Sequence, residues 1–89
     1  MRIIRKKVNE VRFNENKVAV TPLDPVGELF ILTDVALDIW KKTKTAKSFD
    51  DILKEMLVEY DVDKAELEPD LKEFLLILQE KNIIEIVES

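Results

Sequence analysis

The stretch "GELFILTDVALDIW", residues 27–40, carries the chain from a strand into a helix. In "ELFILT", Phe30 and Leu32 fall on one face and Leu29 and Ile31 on the other, because strand side chains alternate. A strand with one solvated face would alternate with polar residues. This one is apolar on both faces, so it calls for cover on two sides. Thr33 then offers a helix N-cap, with Asp34 in the first turn. Val35, Ala36, Ile39 and Trp40 recur at helical spacing, and Lys41 and Lys42 suit the negative end of that helix.

Upstream, the pattern is strand-like. "EVRFNE" alternates and reaches Asn14-Glu15-Asn16, a hairpin turn into "KVAVTP". "LDPVG" pairs Asp24 with Pro25 and holds the only glycine, which marks a second turn before "ELFILT". Connections this short predict a three-stranded antiparallel meander. The N-terminal "RIIRKKV" extends the first strand or forms a separate one.

Downstream, the pattern is helical. "TKTAK" reads as a polar connection. Ser48, with Asp51 three positions on, resembles a capping box. Ile52, Leu53, Met56, Leu57 and Tyr60 make the inner stripe of the second helix, with Asp61 ending it. Asp63 is a candidate cap for a third helix. Pro69 places the regular part of that helix near Glu68 or Pro69, since an interior proline costs about 3 kcal/mol. Leu71, Phe74, Leu75 and Leu78 form its core face, and Asn82 suits the left-handed closing position. "IIEIV" has the makings of a short last strand. The fold class is α+β: strands over about 9–32, then three helices over about 34–81.

Eighty-nine residues hold one hydrophobic core, so residues 1–89 are expected to form one domain. A chain of this size buries roughly 60–65% of its unfolded surface, enough to fold alone by a narrow margin. Nearly half the residues are apolar, against a disordered chain. Cysteine and histidine are both absent, which removes thiol nucleophiles, thiolate metal sites and the commonest general base. No cofactor is expected. The start "MRIIRKKV" has charges where a signal peptide would be apolar, and no run approaches the length of a membrane span. A cytoplasmic protein is expected.

Charge is uneven. The first twelve residues hold five cations and only Glu10 as an anion. From Ser48 onward there are four lysines and thirteen carboxylates. That acidic half speaks against nucleic-acid binding, which rests on clustered lysine and arginine. The basic residues near the N-terminus have a plain role, since charge on an edge strand discourages aggregation.

Catalytic chemistry is hard to assemble. Asp50-Asp51, Asp61, Asp63, Glu66 and Glu68 sit at helix beginnings, where capping and the helix dipole account for them. "YDVDKAELE" lacks the glycine and the ligand density of an EF-hand. A single glycine cannot make a phosphate-binding loop. Trp40, Phe49, Tyr60 and Phe74 are large rings on amphipathic faces, for which burial is reason enough. The informative feature is surplus apolar surface. Besides the doubly apolar strand, Leu76 and Ile77 widen the third helix's stripe beyond the roughly 100° a packed helix needs. The surplus suggests a peptide groove or a dimer interface, and helices covering both faces would also explain it.

From Gly27 onward, "FILTDVALDIW", "SFDDILKEMLVEYDVD" and "DLKEFLLILQEKNIIE" resemble the PqqD-like family, the peptide-recognition domains of ribosomal peptide natural-product pathways. The resemblance covers about two-thirds of the chain in order and spacing. Thr33 stands where the family has asparagine, one cap for another, and "KTAK" where an Asp-Gly turn is common. The resemblance implies a winged helix-turn-helix-like fold and a role without catalysis. It implies that a precursor's leader segment is captured as an added strand beside the third strand, walled by the third helix. Mapped here, the edge is Glu28, Leu29, Phe30, Ile31 and Leu32, and the wall is Leu67, Leu71, Lys72, Leu75 and Leu78. The implied second partner is a modifying enzyme, a radical-SAM enzyme or a leader peptidase. Strand and helix counts alone also fit a winged-helix DNA-binding module, and the exposed strand and helix also fit a homodimeric adaptor.

Overall fold

The computed structural model describes residues 1–23, 27–45 and 48–88. Along the chain the elements are β1 (Arg2–Arg5), β2 (Val8–Asn14), β3 (Lys17–Pro22), β4 (Phe30–Thr33), α1 (Asp34–Thr45), α2 (Phe49–Glu59), α3 (Lys64–Glu80) and β5 (Ile84–Val87). Strands β2, β3 and β4 make the antiparallel meander, in that order. The β2–β3 turn forms at Glu15-Asn16, where the Asn14 side chain accepts a bond from the Asn16 amide. The "LDPVG" turn falls mainly on residues outside the described set. Gly27, on its far side, is close to Pro22: a Cβ there would lie 2.9 Å from the proline ring's Cγ.

β1 is a separate strand. It pairs antiparallel with β5, bringing the two ends of the chain together as a second, two-stranded sheet. Ile3 points inward from β1 and Ile83 and Ile84 from the β5 end, so this ribbon closes one side of the core. The Phe49 amide also donates to the Met1 carbonyl, tying β1 to the start of α2.

One core joins the meander to the helices. Val18, Val20 and Leu32 point from the sheet into it, and meet Leu37, Ile39, Trp40, Ile52, Met56, Leu71, Leu75 and Leu78. On the sheet's other face Ala19 is also buried, flanked in register by Val11 and Ile31. The two apolar faces of β4 therefore divide, with Phe30 and Leu32 toward the helices and Ile31 on the outer row.

Helix boundaries differ from the sequence reading at three places. β4 pairs with β3 as far as Thr33, opposite Lys17, so the junction falls on Asp34, at φ 51°. α1 runs through Thr45 and takes in the first three residues of the expected polar connection. Thr43 is buried there because its hydroxyl donates to the Trp40 carbonyl. α3 begins at Lys64 with Pro69 inside it. The proline removes one bond, to the Ala65 carbonyl, but Ala65 is exposed and water can serve that carbonyl. The Ser48 cap forms, its hydroxyl accepting from the Asp51 amide at 3.1 Å. α3 closes on Asn82, at φ 63°, in a Schellman arrangement. The Ile83 amide bonds to Leu78 O and the Asn82 amide to Gln79 O.

A polar cluster fixes α1 against α2. The Lys42 ammonium, nearly buried, lies 2.6 Å from Glu59 Oε2 and 3.1 Å from Asp38 Oδ1. Tyr60 donates to Asp38 Oδ2 at 2.8 Å. Burial alone would push the Lys42 ammonium down, but its bonds to Glu59 and Asp38 outweigh that and hold it above its ordinary pKa. Burial likewise pushes the Asp38 carboxyl up, and the bonds from Tyr60 and Lys42 outweigh it and hold it low. The Tyr60 hydroxyl is raised, first by its bond to Asp38 and then by burial.

Candidate functional site

β4 is the outer strand of the meander, and among the described residues nothing pairs with its far edge. An open edge of this kind carries a row of free backbone donors and acceptors. α3 meets the segment before that edge at one ion pair. Near its C-terminal end the Lys81 ammonium lies 3.8 Å from Glu28 Oε2, just before β4. Toward its N-terminal end, Leu67, Asp70, Leu71 and Phe74 join Val35, Ala36, Ile39 and Met56 around an open, mainly apolar hollow of about 260 Å³. The hollow is lined from α1, α2 and α3, while the free edge of β4 lies just before α1 in the chain.

Of the expected edge residues, Phe30, Ile31 and Leu32 lie in β4, and Glu28 and Leu29 just before it. Glu28, Leu29 and Ile31 are exposed, the last two at 59% and 44%. Phe30 is half-buried against the core, and Leu32 is fully enclosed. The expected wall divides differently. Leu71, Leu75 and Leu78 are 1%, 1% and 0% exposed and sit in the core, Leu71 alone also touching the floor of the hollow. Lys72 is exposed, and Leu67 is half-buried beside the hollow.

Leu67, Asp70, Phe74, Ile77 and Lys81 recur every three or four residues along the neighbouring stripe of α3, and the first three of them line the hollow. Val35 and Ala36, from the first turn of α1, were not singled out as site residues. Val35 is exposed and falls on the side of α1 away from Leu37, whereas Ala36, one turn before Trp40, shares its stripe and gave no separate signal. No group of carboxylates among the described residues is placed to hold a metal ion. No helix among them is long and apolar enough to cross a membrane.

A second concavity lies on the opposite flank of α1. Arg5 stacks on Trp40, its guanidinium carbon 3.7 Å from the ring centroid, and donates to Thr43 Oγ1 and to the Trp40 carbonyl. The Trp40 indole N–H donates to Glu10. Burial pushes the Arg5 guanidinium pKa down and the nearby Glu10 charge pushes it up, with burial prevailing.

Comparison with known proteins adds to this geometry. The family model for coenzyme PQQ synthesis protein D, PqqD, matches residues 11–84. The chain belongs to the PqqD family. The match reaches back to Val11 and so includes the later part of β2 and all of β3, upstream of the residues that carried the resemblance in the sequence. The chain is also similar to a solved structure, TbiB1 in complex with the TbiA(beta) leader peptide, with a TM-score of 0.82 and 28% identity over 97% of this chain and 98% of that one. No curated protein matches. The α+β arrangement of a three-stranded antiparallel sheet followed by three helices is the PqqD-family fold.

Proposed function

We propose that this chain is a leader-peptide-binding adaptor in the biosynthesis of a ribosomally made peptide natural product. The observation that carries the reading is the unpaired edge of β4 beside the apolar hollow of α1 and α3. A leader segment entering there adds a strand to the meander. Main-chain bonds along residues 28–33 supply affinity, and the hollow supplies selectivity for alternate side chains. TbiB1, similar over nearly its whole length, holds a leader peptide, which supports the same ligand class here. The groove wall we assign is Leu67, Phe74 and Ile77, with Lys81 at one end, in place of the enclosed Leu71, Leu75 and Leu78.

In this reading residues 1–89 work as one recognition domain in the cytoplasm and perform no chemistry. Holding the leader raises the effective concentration of the precursor near a modifying enzyme, a radical-SAM enzyme or a leader peptidase. Titrating a fluorescent leader peptide, encoded beside the gene for this chain, tests the reading. Saturable binding at micromolar concentration is expected, weakened about tenfold by Phe74→Ala, since truncating a well-packed aromatic anchor costs more than 1 kcal/mol. Failure of every neighbouring leader to bind at tens of micromolar would overturn it.

A second reading, self-association, is favoured by the outer sheet face, where Val11, Phe13 and Ile31 are exposed. Light scattering across concentration, with and without leader, separates the two.

A further inference from the structure

The edge strand β2 turns Glu10 and Arg12 toward the helices, in register with the core residues Val20 and Val18 of β3. Polar residues on an inward face mark a place that the helix layer does not fill. α1 covers β3 there and stops short of β2, leaving a cleft of about 530 Å³ with Val18, Leu37 and Trp40 in its lining. Four cations border it: Arg5 and Arg12 from the strands, and Lys41 and Lys44 from α1. The single carboxylate among its lining residues, Glu10, is already engaged by the Trp40 indole. Among the described residues no other carboxylate lines it, although the chain as a whole is net negative. Arg12, Lys41 and Lys44 form no ion pair among the described residues.

We infer that this cleft binds an acidic peptide segment of a partner protein, at a site separate from the β4 groove. The cations supply the attraction, and Trp40 and Leu37, 1% and 4% exposed, form a rigid floor beneath them. Charge complementarity selects the occupant. Lys41 and Lys44 lie one turn apart on α1, a short positive track suited to a few carboxylates in sequence. A nucleic acid carries phosphates far beyond that short track, and its binding rests on more extended clusters of lysine and arginine. The stripe Leu37, Trp40, Lys41 and Lys44 serves this cleft, while Val35, Ala36 and Ile39 serve the leader groove. One helix therefore separates two sites that can be filled together, and this inference stands whether or not a leader binds at β4.

The test uses the full chain, ¹⁵N-labelled, and an N-acetylated, C-amidated hexaglutamate peptide. The single tryptophan gives a single indole N–H resonance, already bonded to Glu10 inside the cleft. At low salt that resonance should move saturably, together with the backbone amides of Arg12, Lys41 and Lys44, and salt should reverse the shift. Replacing Arg12, Lys41 and Lys44 together by serine should weaken binding about tenfold, as three exposed ion pairs of ordinary strength would. All three are exposed, and unchanged core resonances would verify the fold. The double variant Lys6→Ser, Lys7→Ser should bind as the parent does. Absence of a saturable shift overturns the inference, as does equal weakening in the Lys6/Lys7 variant. Tighter binding of hexathymidylate than of hexaglutamate overturns it in favour of nucleic acid.

Discussion

Lys42 shows how much one side chain contributes to joining two helices. It stands in the last turn of α1, where the helix dipole favours a cation, and reaches Glu59 on α2 and Asp38 one turn back. Its ammonium is nearly buried, while the two carboxylates keep part of their surface in water. Lys42→Met preserves the stem and removes the charge. It should destabilise by about 1–2 kcal/mol in urea unfolding, below the cost of breaking a fully buried pair. The sign of the pH dependence follows from the shifts. A lysine held high in the folded state contributes stability that is complete below its unfolded pKa and is lost as pH rises through the folded value. The raised Tyr60 acts in the same sense, since its ionisation would set a phenolate against Asp38. The lowered Asp38 acts at the other end, its share being lost as pH falls through its depressed folded value. Stability should therefore decline above about pH 10, and the double variant Lys42→Met, Tyr60→Phe should flatten that decline in urea midpoints measured against pH. Leu75 supplies the apolar counterpart. At 1% exposure, Leu75→Ala should cost about 2–5 kcal/mol, and Leu75→Glu should unfold the domain outright.

Among the elements, β4 and α3 separate what the sequence discloses from what it conceals. The doubly apolar "FILT" was legible because a period of two leaves no ambiguity about which residues share a face. The closing position of α3 was legible because few residues besides glycine accept positive φ, and asparagine is one of them. Asn82→Ala should cost about 1–2 kcal/mol, while Asn82→Gly should be close to neutral, measured by thermal unfolding. The inward stripe of α3 was not fully legible. Its apolar arc spans Leu67, Leu71, Phe74, Leu75, Leu76, Ile77 and Leu78, and such an arc does not say which side the core takes and which side a groove keeps. Packing on α2 and β5 decides it, and that depends on residues far away in sequence. The same distance hid the β1–β5 ribbon and the inward turn of Glu10. Pro69 was over-weighted, because a proline near an exposed helix start sacrifices one bond that water can replace. Pro69→Ala should raise stability by about 1 kcal/mol, the restored bond being partly offset by a freer unfolded chain.

On the scale of the whole molecule, the fold is organised around what its sheet leaves unpaired. The ribbon of β1 and β5 closes one side, the hairpin of β2 and β3 supplies the inner strand, and β4 is left with an open edge among the described residues. An added strand there would finish the meander and extend the outer row beyond Ile31. The acidic surface of α2 and α3 would still face solvent, and the basic cleft behind Trp40 would stay free for a second partner. The chain belongs to the PqqD family and is similar to a structure solved with a leader peptide. The most direct measurement is backbone amide hydrogen exchange of residues 28–33, with and without a saturating leader peptide. The account predicts that alternate amides of this segment, fast in the free protein, become protected when the peptide binds, while the amides of β2 are unchanged. Saturable binding that leaves exchange at residues 28–33 unaltered would contradict it.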